Sequence, residues 1–322
     1  MAGRRRTDVI ARLAVRLWSH AWLLLSCTAL FWAGNAIIGR ALAGTVPPAT
    51  LSFWRWLGAF AIVLPFAWPH LRRDRAVLLA HWPTMLLLGF TGVACFNVML
   101  YTGLTTTTAL NGVLMQSSQP LLVILWAALL GTEKPTLRRM LGVAISLLGV
   151  AAIAAHGNLA ALLALRLNTG DLWVLTGSVI YGFYLAVLRW RPAVHPLSFV
   201  ASTFLIGAMM VLPLMLWEHS AGARIATGPW GWLGIGYTTI FPSLLAYLCI
   251  NRGVELIGPG RAGQAVHLVP VFGILLAVGL LGETFHPYHA AGIMLIAAGI
   301  LLASLAPGQV SKLLARTAAP ER

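Results

Sequence analysis

Pro120, Glu133, Gly142 and Gly149 recur as Pro270, Glu283, Gly292 and Gly299, each 150 residues later, and Gly103 recurs as Gly253. Around these landmarks LLGTEKPTLRRMLGVAISLLGV reads against GLLGETFHPYHAAGIMLIAAGI, with one small adjustment between Gly131 and Gly282. A repeat of this kind constrains the fold more than any local propensity, because each copy is one structural unit that must be built twice. Fainter echoes extend toward the start of each copy. Trp32, Asn35 and Arg40 stand over Tyr181, Tyr184 and Arg189, and Leu-Ser-Phe occurs at 51–53 and again at 197–199.

What the unit is made of follows from composition. Hydrophobic residues make up 59% of the chain, charged residues only 9%, and the mean hydropathy is +0.84. A soluble domain has roughly a quarter of its residues charged, so the solvent implied here is lipid. Apolar segments long enough to cross a hydrocarbon core of about 30 Å as helices fall at 19–41, 48–69, 81–102, 107–130 and 138–155, then at 171–190, 196–217, 230–250, 258–281 and 288–306. The fold class expected is an all-α membrane protein of ten transmembrane helices. The first copy occupies 1–156, a connection 157–169, the second copy 170–306 and a tail 307–322. Five spans per copy is an odd number, so the second copy starts from the other side of the membrane. The repeats are therefore expected to be inverted, with a substrate site near the midplane where they meet.

The formal net charge of +14 could suggest nucleic acid, but its distribution indicates topology. Arg4, Arg5, Arg6, Arg72, Arg73, Arg75, Arg138 and Arg139 fall on one side, as do most other basic residues. Arg40, Arg166 and Arg224 fall on the opposite side. Under the positive-inside rule both termini are cytoplasmic. The first span ends near Ala41-Leu42-Ala43, which resembles a signal-peptidase site. Its apolar run exceeds the 7–15 residues of a signal-peptide core, and its loss would leave one copy incomplete. Cys27, Cys95 and Cys249 lie inside spans without metal-ligand spacing. No metal, cofactor or nucleic-acid partner is expected. The chain has no HExxH, GxSxG or paired intramembrane carboxylates for an enzyme.

Trp32-x-Gly34-Asn35 with Arg40, Arg55 in the second span, and the duplicated Pro-x12-Glu-x8-Gly-x6-Gly together resemble the drug/metabolite transporter superfamily, specifically its EamA-type family. The resemblance covers essentially the whole chain. It implies ten helices in two inverted repeats, and movement of small organic solutes, usually outward, across a bacterial inner membrane. Within that family the chain resembles the YddG-type amino acid exporters.

The acidic residues Asp8, Asp74, Glu133, Asp171, Glu218, Glu255, Glu283 and Glu321 all fall at termini, in loops or at helix ends. Intramembrane carboxylates are the usual proton relays and cation sites, so this placement argues against carboxylate-driven antiport and against a counter-charge for cationic drugs. The interior that remains is aromatic and hydrogen-bonding. Asn97 and Tyr101 share a helix face one turn apart, and the same pair recurs swapped as Tyr247 and Asn251. They suit both helix–helix hydrogen bonding and cavity lining. Trp32, Asn35, Tyr181 and Tyr184 sit near span centres, where an aromatic has no headgroup to meet, and are expected to line the cavity.

In the fourth span Pro120 cannot donate to the carbonyl of Gln116, and Pro270 does the same to Val266. Both are candidate hinges or gates. Ser117 and His267 are symmetry partners beside them, with Gln264 on the face of His267. His267 is either a structural hydrogen-bonding residue or a proton-coupling group. Arg55 is expected to snorkel to the interface or to pair with backbone carbonyls. The favoured function is secondary export of amino acids, aromatic and other neutral ones included, and related metabolites by alternating access, with the bilayer and, as a candidate, protons as partners. The alternatives are export of drugs or lipophilic cations, and a nucleotide-sugar or phosphate-ester carrier.

Overall fold

The computed structural model describes residues 18–131, 136–158, 168–225, 228–257 and 267–304, with side chains to 302. Among the described residues every regular element is helical. They are α1 (Ala21–Ala41), α2 (Pro48–Ala80), α3 (Trp82–Gly103), α4 (Ala109–Gln116), α5 (Gln119–Leu129) and α6 (Leu137–Ala154), then α7 (Thr169–Trp190), α8 (Pro196–Ser220), α9 (Pro229–Ile257), α10 (Leu268–Leu281) and α11 (Pro287–Ser304).

Seven of these are long and apolar enough to cross a membrane, and α4 with α5, bent by 42°, makes an eighth if taken as one span. The bend falls at Ser117-Ser118, just before Pro120, whose missing N–H is the physical reason for a break there. The stretches α10 and α11 are shorter apolar helices. Helix α2 differs most from its expected span. It runs 33 residues, about 50 Å at 1.5 Å per residue, continuing through Pro65 and Pro69 beyond the apolar stretch.

The helix pairings come in sets related by the repeat. Helix α2 packs on α8 and α6 on α11; α3 on α7 is matched by α9 on α1; α5 on α7 is matched by α10 on α1; and α3 on α8 is matched by α9 on α2. The duplicated glycines sit at these contacts. A Cβ on Gly149 would lie 2.7 Å from the carbonyl oxygen of Gly292, and one on Gly292 would lie 3.0 Å from that of Gly149. A Cβ on Gly299 would collide with the carbonyl oxygen of Gly142. The x6-spaced pair of one copy thus packs antiparallel on the pair of the other, which is how small residues let two helix backbones approach closely. Likewise a Cβ on Gly103 would lie 2.6 Å from the Val174 side chain, and one on Gly253 would lie 2.5 Å from that of Leu25.

Carboxylates close two helix starts from the opposite copy. Glu283 accepts the backbone N–H groups of Ala109 and Leu110, both at 2.8 Å. Glu218 accepts those of Ala49 and Thr50, both at 2.9 Å. Each satisfies donors that a helix start otherwise leaves orphaned, and places negative charge at the positive end of the dipole. Glu283 thus joins the end of one helix to the start of another; Glu133 lies outside the described residues.

Candidate functional site

Where the bundle is most buried, α1, α2, α3 and α9 converge on a single cation. Arg55 of α2 is 5% exposed. Its Nη1 donates to Asn35 Oδ1 on α1 at 2.7 Å, to Asn97 Oδ1 on α3 at 2.8 Å and to the Tyr101 hydroxyl at 2.6 Å. Its Nε donates to Ser243 Oγ on α9 at 2.8 Å. Tyr101 in turn donates to Asn35 Oδ1 at 2.7 Å. The guanidinium carbon lies 4.4 Å from the centre of the Trp56 ring, in cation–π range.

Two irregular turns set up this geometry. Residues Phe90–Cys95 of α3 and Phe241–Leu245 of α9 are π-helical, at matching places in the two copies. A π-bulge widens the helix and re-aims the side chains that follow it, often at functional sites. In α9 the cause is legible in the chain. Pro242 has no N–H for the carbonyl of Thr238, and Ser243 Oγ donates to that carbonyl at 3.0 Å. The Ser243 lone pairs are thereby turned to Arg55. In α3, Asn97 donates its amide to the carbonyl of Val93, within the π turn, at 3.2 Å, leaving its oxygen for Arg55.

The electrostatics are unusual. Every partner of Arg55 is neutral, and among the described residues no carboxylate pairs with it. Arg55 Nη2 makes no hydrogen bond among the described residues, and the buried Nε1–H of Trp56 has no acceptor there either. A buried cation without a counter-ion is costly, and hydrogen bonds to neutral oxygens offset the cost only in part. The site is set to receive a negative charge.

Arg55 therefore neither snorkels nor pairs with backbone carbonyls. The network of side-chain oxygens around it provides what the interface would have provided. Of the residues singled out in the sequence, Asn35, Asn97 and Tyr101 are brought together on it. Tyr181 packs on Phe96 (ring centroids 4.4 Å apart) and on Tyr184 (5.4 Å), forming an aromatic group between α3 and α7. Tyr184 also covers Gly92, and both Tyr184 and Tyr247 pack against the buried apolar cluster around Trp56 and Phe204. Trp32 is half-buried on α1. The swapped pair is not equivalent to its counterpart: Asn251 is exposed and, among the described residues, its side chain donates to the carbonyl of Tyr247 alone.

Ser117 lies in the α4–α5 bend and donates to the carbonyl of Val113. Pro120 opens α5, and Pro270 falls in the first turn of α10. His267 immediately precedes α10 and is exposed. Gln264 lies outside the described residues. The residues missed were Arg55 as a centre and Ser243 as its partner. Their signal was depth: one Arg and several neutral polar side chains placed well inside four spans.

The pattern of the EamA-like transporter family matches residues 19–155 and again residues 168–305. The chain belongs to the EamA-like transporter family. Its two copies are the two matched segments, and its relatives span nearly the same length. An uncharacterized transporter YyaM of Bacillus subtilis (strain 168) is 26% identical over 289 residues, 88% of this chain and 93% of that one. The uncharacterized inner membrane transporter YedA of Escherichia coli (strain K12) is 25% identical over 86% of this chain and 88% of its own. A protein of Streptantibioticus cattleyicolor named "Probable terminal-alkyne amino-acid exporter" is 27% identical over 72% of this chain and 75% of its own. One solved crystal structure, 24% identical, superposes with a TM-score of 0.59 over 92% of this chain and 99% of that one, and shares the fold. The protein is a multi-helix integral membrane transporter.

Proposed function

We propose that this EamA-family member is a secondary transporter that exports amino acids and related zwitterionic metabolites, with Arg55 as the anchor for the substrate carboxylate. The observation that carries the reading is the Arg55 cluster: a buried guanidinium held by Asn35, Asn97, Tyr101 and Ser243, all neutral, with Nη2 unused. An incoming carboxylate supplies the missing charge, and an arginine fork recognises its planar shape. The Phe96–Tyr181–Tyr184 group offers an apolar surface for a neutral or aromatic side chain. Asn35, Asn97, Tyr101, Tyr181 and Tyr184 are the substrate-binding candidates this reading keeps foremost, with Trp32, Ser117, Tyr247, Gln264 and His267 secondary. The distant relative named as an amino-acid exporter supports the substrate class.

Ten spans in two inverted repeats, both termini cytoplasmic and location in a bacterial inner membrane complete the reading. The paired helix contacts and the one-sided basic residues support it. Alternating access then takes the form of one bundle rocking against the other across the Arg55 network, with Pro120 and Pro270 as hinges. A lipophilic-cation exporter fits less well, because an uncompensated Arg55 repels a cationic drug. A phosphate-ester carrier would call for several cations at this depth.

The test is uptake of labelled amino acids into proteoliposomes holding the purified chain, with and without unlabelled amino acid trapped inside. Saturable uptake stimulated by the trapped substrate is the result expected of a carrier. Absence of flux across acidic, neutral and aromatic amino acids would overturn the reading.

A further inference from the structure

A second polar centre lies apart from Arg55, at the end of the bundle where α4, α7 and α11 begin and α6 ends. Asp171, in the first turn of α7, is 1% exposed. Its Oδ1 accepts hydrogen bonds from Thr107 Oγ1 and, at 3.3 Å, from Asn111 Nδ2. Its Oδ2 is buried and has no hydrogen-bond partner. The Nε2 of His156 lies 3.9 Å from it. That imidazole is 46% exposed and follows α6 on a left-handed residue, with φ 50°.

The donors run in one direction. The backbone N–H of His286 donates to His289 Nδ1 at 2.9 Å, so Nδ1 carries no proton. His289 Nε2 then donates to Asn111 Oδ1 at 3.0 Å, and the Asn111 amide donates on to Asp171. His289 is thereby fixed as the neutral Nε2–H tautomer, and the relay ends on the carboxylate. The Asn111 amide also lies 3.4 Å from His156 Nε2, which accepts it in the neutral Nδ1–H tautomer. On protonation that nitrogen becomes a donor instead and faces the free Asp171 oxygen. Among the described residues no group of three His, Cys, Asp or Glu could hold a metal ion, so the exchangeable species here is the proton.

We propose that Asp171 and His156 form a proton-binding site, filled from solvent through His156, that fastens the two repeats together at this end of the bundle. The proton comes from bulk water, passes the half-exposed imidazole to reach the carboxylate, and leaves by the same route. Thr107, Asn111, His156 and Asp171 span the first copy and the start of the second, while His289 belongs to α11. Moving the proton changes which of these groups donates, and hence the fastening between copies. Among the described residues, the charged and titratable groups on the elements packed around Asp171 are His156 after α6, Glu283 capping the start of α4, and His286, Tyr288 and His289 at the start of α11. Arg40 lies on the adjoining 104–105 turn.

The site revises what the acidic residues implied in the sequence. Asp171 is at a helix end, as its position says, yet it is enclosed as fully as a mid-span residue.

The test is an infrared titration of the purified full chain in detergent, following the C=O stretch of protonated carboxyl groups. Among the carboxyl bands that rise reversibly on acidification, wild type should show one that is missing from Asp171→Asn. Asn keeps an acceptor for Thr107 and places a fixed donor where Oδ2 lies. His156→Gln, at a half-exposed position, covers the case in which Asp171→Asn does not fold, and it should shift the midpoint of the same band. Titrations identical in wild type and the variants would overturn the proposal, as would a wild-type Asp171 that stays ionised throughout. In proteoliposomes, transport by Asp171→Asn should lose the pH dependence that wild type shows on this face. Where no substrate is moved at all, the infrared result still decides the proton site, so the two readings fail separately.

Discussion

Arg55 Nη1 donates to Asn97 Oδ1 across 2.8 Å, joining α2 to α3 at a point where no carboxylate among the described residues answers the charge. Both residues are buried. Replacing Arg55 by Lys keeps a cation but loses the fork, since one ammonium cannot reach acceptors on α1, α3 and α9 together. Transport should fall by at least about 10-fold, the effect of a little over 1.4 kcal/mol. Arg55→Met should fall further. Initial rates in proteoliposomes at matched protein content check both.

The α6–α11 seam leaves no room for side chains. Gly149→Leu and Gly299→Leu should each destabilise the bundle by roughly 1–3 kcal/mol, the usual cost of overpacking. Gly279, which has open space around a Cβ, is the control and should tolerate Leu. Thermal unfolding in detergent distinguishes them, with lowered midpoints for the first two only.

Glu283 and Glu218 act as caps supplied by the other copy. Glu283→Ala orphans the N–H groups of Ala109 and Leu110, and Glu218→Ala those of Ala49 and Thr50. Each should lower stability by about 0.5–2 kcal/mol. The two sites share no partners, so the double variant should show the sum. A double variant no less stable than either single one would contradict independent caps.

Tyr181 stands in an aromatic group, not at a membrane interface. Tyr181→Ala should weaken apparent affinity for aromatic amino acids about 2- to 10-fold, in line with 0.5–1.5 kcal/mol for an aromatic pair. Alanine transport should change little. Equal losses for both substrates would point to a packing role for Tyr181.

Seven of the expected spans, with the bent α4–α5 pair as an eighth, were legible because crossing a bilayer demands long apolar runs, and hydropathy records them directly. The duplicated Gly142/Gly149 and Gly292/Gly299 were legible as a repeat but not as a contact. Nothing in spacing alone says that one pair meets the other antiparallel. Arg55 was misjudged because it was weighed alone, as a charge seeking water. Its acceptors come from residues 35, 97, 101 and 243, and only the helix arrangement brings them within reach. Asp171 was hidden for a similar reason. Position at a helix end fixes its place along the span, but burial is decided by Thr107, Asn111, His156 and His289 on other elements.

The central claim is that Arg55 holds the carboxylate of an amino acid. Counterflow into proteoliposomes, with competition by an amino acid and by its carboxamide analogue, tests it most directly. The acid should compete and the amide should not in wild type, while Arg55→Met should lose the distinction together with most of the flux. Equal competition by acid and amide in wild type, or undiminished counterflow in Arg55→Met, would contradict it.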